Sequence, residues 1–261
     1  RLSEYKLILN GTPLTKGLTD IYAQMEFLSP KILDMRYSEF LDTFCYYHAI
    51  KRFKRVVKRV IVGYANIDYL LSIIRPYVYQ CSLNLPLEKQ YGDRCYFLTD
   101  EEMAAYEHLK GRLLTLDVFR DTHFFGIIQR MHHLYCCSEG KFELLEKLLT
   151  PRTIVYCKFL KSKREIEKRF PGTLVLTYGK GSFGLNLQAY NRIVYFDKTF
   201  DYAFREQSEA RIYRTGQQED CSYFDLSGNV GLEYLMDECI RKKTNLISYF
   251  KTHGNETIKK L

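Results

Sequence analysis

Apolar residues keep a mainly helical period through the first half of the chain, then give way to short strand-like runs alternating with helices. Residues 5–9 (YKLIL) form a short, mostly apolar run ending at Asn10-Gly11-Thr12-Pro13, which predicts a buried strand entering a loop. From 19 to 28 the apolar positions Ile21, Tyr22, Met25 and Leu28 recur at helical spacing, and Ser29-Pro30 closes the segment. Residues 37–47 repeat that pattern through Phe40, Leu41, Phe44 and Tyr47, and 67–74 continue it up to Pro76. The stretch 14–75 is therefore expected to be mostly helical. A second helical region is predicted over 99–149, where Thr99-Asp100-Glu101-Glu102 has the form of a cap followed by an acidic first turn.

After Pro151 the texture changes. Residues 153–157, 174–178, 192–196 and 221–226 read as strands, and 161–170, 202–213 and 230–241 as helices between or after them. Strands alternating with helices predict an α/β fold, a parallel sheet flanked by helices, with functional loops at the carboxyl ends of the strands.

Composition narrows the class. The chain has 261 residues, 46% of them hydrophobic and 27% charged, which suits a folded chain with a sizeable core. No run reaches the roughly 18 apolar residues of a membrane span, and no signal-peptide order opens the chain, so a cytoplasmic setting without membrane contact is expected. Because residue 1 is arginine and apolar strand character follows at once, a piece of a longer protein is expected. The net charge of +8 suits a polyanionic partner without requiring one. Six of the nine residues 51–59 are cationic, Arg52, Lys54, Arg55 and Lys58 among them. They are either a solvated helix face or a phosphate-contacting surface. The 8 cysteines form no Cys-x-x-Cys and read as reduced thiols. His132, His133, Cys136 and Cys137 are the one cluster that suggests zinc. Adjacent pairs point apart on a helix, so partly buried helix residues are the simpler reading and no metal site is expected.

Two loops carry chemistry. Residues 174–178 run into Gly179-Lys180-Gly181-Ser182-Phe183-Gly184-Leu185-Asn186-Leu187-Gln188, which is not a phosphate-binding P-loop because the preceding glycine is too distant and Gly181 follows the lysine. No Asp-Glu-x-His box is present either. The glycines instead suggest backbone close to a ligand, with Asn186 offering a donor and an acceptor. Farther on, Arg211 and Arg214 stand three apart, so on a continuing helix they would share a face beside Gly216. Two guanidinia so placed suit phosphate binding, although salt-bridged surface arginines would look the same.

Taken in order, Asn10-Gly11-Thr12-Pro13, the run from Gly181 to Gln188, and Gln207-x-x-x-Arg211-x-x-Arg214-x-Gly216-Gln217 resemble motifs III, V and VI of the Swi/Snf family of superfamily-two helicase-like ATPases. Residues 9–28 and the Ser-x-x-Lys-x-x-x-Leu run within 138–149 are similar to further family signatures, so the resemblance spans nearly the whole chain, in a compact form like bacterial or phage members. It departs from the family where Tyr79-Gln80-Cys81 replaces an expected arginine pair and where the stretch before Leu174 is short.

The resemblance implies the C-terminal half of an ATP-dependent translocase on duplex DNA, whose RecA-like lobes close on ATP and Mg2+. In that reading Arg211 and Arg214 are arginine fingers, and Gln207, Gly184 and Gly216 lie on the ATP side. Thr12, Gly181, Ser182 and Asn186 couple nucleotide to nucleic acid, and Arg52, Lys54, Arg55 and Lys58 are candidate DNA contacts. The implied organisation is the end of the first lobe over 1–13, a helical insertion over 14–75, a helical entry over 76–150, the second RecA-like lobe over 151–250 and a tail over 251–261. Because ATP and magnesium would be held mainly by a first lobe absent here, the piece alone is expected to be inactive. The competing expectation is a module that kept the fold for DNA binding or protein docking and lost the motor.

Overall fold

Helical spacing in the first unit, Arg1–Ser82, buries one stripe of each helix in a small shared core. The computed structural model describes residues 3–9, 18–52, 55–79, 81, 83–116, 123–181 and 186–242. Helix α1 (Thr19–Leu28) buries Ile21 and Met25, α2 (Tyr37–Phe44) buries Phe40 and Phe44, and α3 (Ile67–Ile74) buries Leu70 and Ile74. Leu18 and Leu33 complete the cluster. The rings of Tyr22 and Phe40 lie 5.2 Å apart and those of Phe40 and Phe44 5.0 Å apart, both tilted, which adds ring-pair attraction to area burial. At the start of α2 the Glu39 carboxylate accepts from the Arg36 backbone N–H at 2.8 Å.

Two expectations for this unit need correction. The helix expected over 37–47 stops at Phe44, and the chain continues as strand β1 (Cys45–Arg52), paired antiparallel with β2 (Arg55–Tyr64). Val56, Val57, Val60, Ile61 and Val62 are β-branched and stiff at χ1, a concentration that favours a pleated strand over a helix. Arg52, Arg55 and Lys58 therefore lie on a hairpin rather than a helix face, with Arg52 directly opposite Arg55, while Lys54 is outside the described residues. Residues 5–9 are not a buried strand: Tyr5, Leu7 and Leu9 are 84%, 78% and 86% exposed. An apolar run becomes a strand only where a neighbour takes up its backbone groups, and among the described residues none does.

The second unit, Leu83–Leu261, carries the parallel sheet. Its strands are β3 (Lys89–Tyr96), β4 (Thr153–Cys157), β5 (Leu174–Thr177), β6 (Arg192–Tyr195) and β7 (Cys221–Gly228), in spatial order β3-β7-β6-β4-β5 with parallel neighbours throughout. Strand β3 lies inside the stretch expected to be a helical entry. As an edge strand with exposed polar residues it shows no apolar alternation to read. The helices are α4 (Asp100–Leu114), α5 (Phe124–Leu134), α6 (Glu139–Leu148), α7 (Leu160–Arg169), the single turn α8 (Tyr178–Gly181), α9 (Tyr202–Glu209) and α10 (Gly231–Arg241). The predicted cap of α4 is present: Thr99 and Glu102 exchange side-chain-to-backbone hydrogen bonds at 3.0 and 3.2 Å.

Strand periodicity gives the sheet two unlike faces. Val155, Cys157, Val175, Val194, Phe196 and Leu226 face one way, into a core with residues of α4, α5, α6, α7 and α10. Ile154, Tyr156, Ile193, Tyr195, Cys221 and Tyr223 face the other, with Tyr178 and Ile212.

Candidate functional site

Helix α9 is fastened to the tyrosine face and delivers the arginine loop. Asp201 caps its start by accepting from the Ala203 N–H at 2.8 Å. Arg205, buried, reaches back to β7: its two terminal nitrogens donate to the Asp225 carboxylate at 2.5 and 2.9 Å, Nε donates to Glu209 at 2.8 Å, and the guanidinium lies 3.6 Å from the Tyr195 ring centre. Such a forked pair with a stacked ring fixes orientation as well as charge. The Tyr195 and Ser208 hydroxyls share a hydrogen bond at 2.9 Å.

The helix then ends, four residues earlier than the sequence pattern suggested. Beyond Glu209 the backbone proceeds by turns, with Arg211 N–H donating to the Ser208 carbonyl at 3.1 Å and Gln217 N–H to the Arg214 carbonyl at 3.0 Å. Arg211 and Arg214 consequently do not share a helix face; both are half-buried and lie on either side of the fully buried Ile212 and of Tyr213. Burial of Ile212 on the sheet and the need for a reversal at Gly216, whose φ is +98°, end the helix. Burial pushes the Tyr156 phenol up to about 12, a rise that the charge of Arg211 opposes.

Gln217, quoted in the motif but given no role in the sequence reading, is the staple of this loop. Its buried amide donates to the carbonyls of Tyr190 at 2.8 Å and Ile212 at 3.1 Å, and its oxygen accepts from the N–H groups of Gln218 and Glu219. Gln188 stands against Gly216, where a Cβ would come within 3.2 Å of the Gln188 amide nitrogen. The end of the glycine loop and the arginine loop therefore meet. They do so near the amino ends of β6 and β7, which Tyr190 and Gln217 shortly precede, and not at the carboxyl ends where functional loops were expected.

The carboxyl ends hold a different arrangement. Lys141 and Asp197, both fully buried, pair at 2.8 Å, and the second Asp197 oxygen accepts from the backbone N–H groups of Lys158 and Phe159 at 3.1 and 3.4 Å. Tyr178 donates to the Asp197 carbonyl at 2.8 Å. Lys198 binds both oxygens of Asp237 at 2.6 and 2.8 Å and the Ser227 hydroxyl at 2.6 Å. Burial pushes the Glu233 carboxyl up to about 7 and lowers the Lys158 ammonium to about 7. Lys141 was detectable in sequence: with Phe142, Leu145 and Leu148 it falls on the buried side of α6, where a lysine demands a partner.

Of the expected site residues, Gln207 is half-buried on α9, Gly181 ends α8 and Asn186 is exposed. Thr12, Ser182 and Gly184 lie outside the described residues. Arg52, Arg55 and Lys58 belong to the first unit. His132 is fully buried against Phe159 and Phe200 in α5, and among the described residues no group of three or more His, Cys, Asp or Glu side chains is placed to hold a metal.

Two solved SWI2/SNF2 ATPase cores from Sulfolobus solfataricus superpose on this chain, one of them in complex with dsDNA. Their TM-scores are 0.53 and 0.52 at 20% and 18% identity, over 93% of this chain and 63% and 62% of theirs. The fold is that of a SWI2/SNF2 RecA-like lobe. Curated relatives include the ATP-dependent helicase brm of Drosophila melanogaster, 23% identical with 94% of this chain aligned. Another is the human DNA repair and recombination protein RAD54-like, 32% identical over 95 residues. The curated relatives resemble the chain in sequence over the stretches given, and the structural neighbours share its fold. No protein-family model matches the chain. The aligned stretches cover 20% and 13% of those two relatives, so this SWI2/SNF2-like chain spans a small part of their length.

Proposed function

We propose that the chain is the C-terminal half of a DNA-dependent ATPase motor, comprising the second RecA-like lobe and the tail of the first. It couples ATP hydrolysis between the lobes to movement along duplex DNA. The observation that carries this reading is the meeting of the two motif loops, Gln188 against Gly216 and Gln217 bonded to Tyr190, which places Arg211 and Arg214 on a turn fixed to the sheet. Preorganised guanidinia stabilise charge that develops on a transferring phosphoryl group, and are worth roughly 10³- to 10⁵-fold in related chemistry. Bound ATP supplies that phosphoryl group, with magnesium held by residues outside this chain; what these residues supply is positive charge and its orientation. Residues 51–59 suit DNA phosphates, because six of the nine are cationic and the register sets Arg52 across from Arg55 on the hairpin backbone. A SWI2/SNF2 core in complex with dsDNA and RAD54-like relatives named for DNA repair favour DNA as the partner.

The test is steady-state ATP turnover of the protein carrying both lobes, with and without duplex DNA, for wild type, Arg211→Ala and Arg214→Ala. DNA-stimulated turnover that falls by about 10³-fold or more in either variant, with folding intact, is the expected result. Turnover indifferent to both arginines would overturn the motor and leave a binding module that kept the fold.

A further inference from the structure

The segment that opens the second unit grips the arginine loop at three points. In the middle, the Tyr213 hydroxyl accepts from the Leu85 backbone N–H at 3.2 Å and donates to the Leu85 carbonyl at 3.3 Å, while the Lys89 ammonium lies 4.3 Å from the Tyr213 ring centre. At the far end, Asp220 accepts from the Glu88 N–H at 2.8 Å, and Cys221 N–H donates to the Glu88 carbonyl at 2.9 Å. At the near end, the Tyr91 hydroxyl donates to Glu209 at 2.8 Å, on the carboxylate that Arg205 also holds, and the Tyr91 ring stacks on Tyr223 at 5.1 Å. Burial, then the Glu209 charge, raises the Tyr91 phenol, so it stays a donor across the neutral range.

These contacts span the whole loop that bears Arg211 and Arg214. We propose that residues 85–91 act as a strap that sets the position of the two arginines, with Tyr213 as the positioning residue that transmits it. The proposal rests on the reading of those arginines given above. Ile212 is fully buried and cannot travel, so a pull on Tyr213 turns the residues on either side of it about that anchor. The strap lies near the start of the second unit, which begins at Leu83. A hydrogen bond from a side chain to one backbone residue is a sparing way to make such a link, because it can be lengthened without exposing core.

Tyr213→Phe keeps the ring and the lysine above it and removes only the clasp on Leu85. In the protein carrying both lobes it is expected to speed amide hydrogen exchange at Leu85 by about tenfold. It is also expected to lower kcat for DNA-stimulated ATP turnover by about three- to tenfold with KM for ATP unchanged, the signature of a contact that matters only in the transition state. Tyr106→Phe serves as the control, since it removes a hydroxyl that accepts from the Leu232 N–H at 3.1 Å on the opposite face and should leave kcat alone. Unchanged exchange at Leu85, or faster exchange with wild-type kcat, overturns the strap. Equal loss of kcat in Tyr106→Phe overturns it as well, by making the effect one of general stability. Arg211→Ala, run beside them, separates the two ideas: normal turnover there sinks the motor reading itself, whereas its loss together with wild-type kcat in Tyr213→Phe sinks only the strap.

Discussion

The two faces of the parallel sheet are held by different physics. On the side of Val155, Val194 and Leu226, aliphatic side chains and aromatic rings pack under five helices, and ion pairs close the rim: the fully buried Lys141 with Asp197, and the buried Lys198 with the exposed Asp237. On the side of Tyr156, Tyr195 and Tyr223, a single eight-residue helix and the arginine loop are fastened by phenols, amides and one forked Arg205–Asp225 pair. Breaking a buried ion pair costs several kcal/mol, whereas one neutral hydrogen bond is worth about 1 kcal/mol. The first face is therefore a foundation that fails as a whole. The second is a set of small, separable links, the kind of surface on which a loop can shift without unfolding its lobe.

The sharpest way to break that contrast is at the foundation. Lys141→Ala leaves Asp197 buried and uncompensated and is expected to cost about 3–5 kcal/mol in chemical denaturation. Adding Asp197→Leu should recover only part of this, because the N–H groups of Lys158 and Phe159 then lose their acceptor. Full recovery in the double variant would mean that Asp197 serves the lysine alone.

Glu233 offers a pH-resolved version. Its folded carboxyl is raised to about 7 by burial, against about 4.3 when unfolded, so the folded state holds the proton over that window. The resulting stabilisation is full below about pH 4.3 and is lost as pH rises through about 7, a change on the order of 4 kcal/mol at 1.36 kcal/mol per pH unit. Glu233→Gln should flatten that slope, and equal slopes for variant and wild type would show that Lys198 keeps Glu233 ionised. On the opposite face, Gln217→Ala strands the carbonyls of Tyr190 and Ile212 and should cost about 2 kcal/mol.

Legibility in the sequence follows the same division. The central strands were readable because β4 is buried along its whole length and reads as a continuous apolar run. Strand β3 was not, because an edge strand with one side in water carries Lys89, Gln90, Asp93 and Arg94 and no alternation. The hairpin of the first unit was hidden by its cations, which suit a solvated helix face as well as a strand; only the clustering of valines distinguishes them. At the site, motif order pointed to Arg211 and Arg214, but a spacing of three is silent about whether a helix continues, and here Ile212 and Gly216 end it. The strap over 85–91 and the Lys141–Asp197 pair join residues far apart in sequence, 128 and 56 positions respectively, and no local pattern encodes such a pairing.

Tyr195→Phe probes the smallest link and measures how separable the second face is. The variant keeps the ring beneath Arg205 and removes only the hydroxyl shared with Ser208, whose own oxygen still donates to the Arg205 carbonyl at 2.7 Å. No group is left stranded, so the expected loss is about 1 kcal/mol or less by thermal or chemical denaturation. Hydrogen exchange should accelerate in α9 and in the loop after it while β4, β6 and α10 keep their protection. A loss of 3 kcal/mol or more, or acceleration spread evenly over the sheet, would show that the tyrosine face is as cooperative as the aliphatic one. In that case the arginine loop could not move without the lobe beneath it.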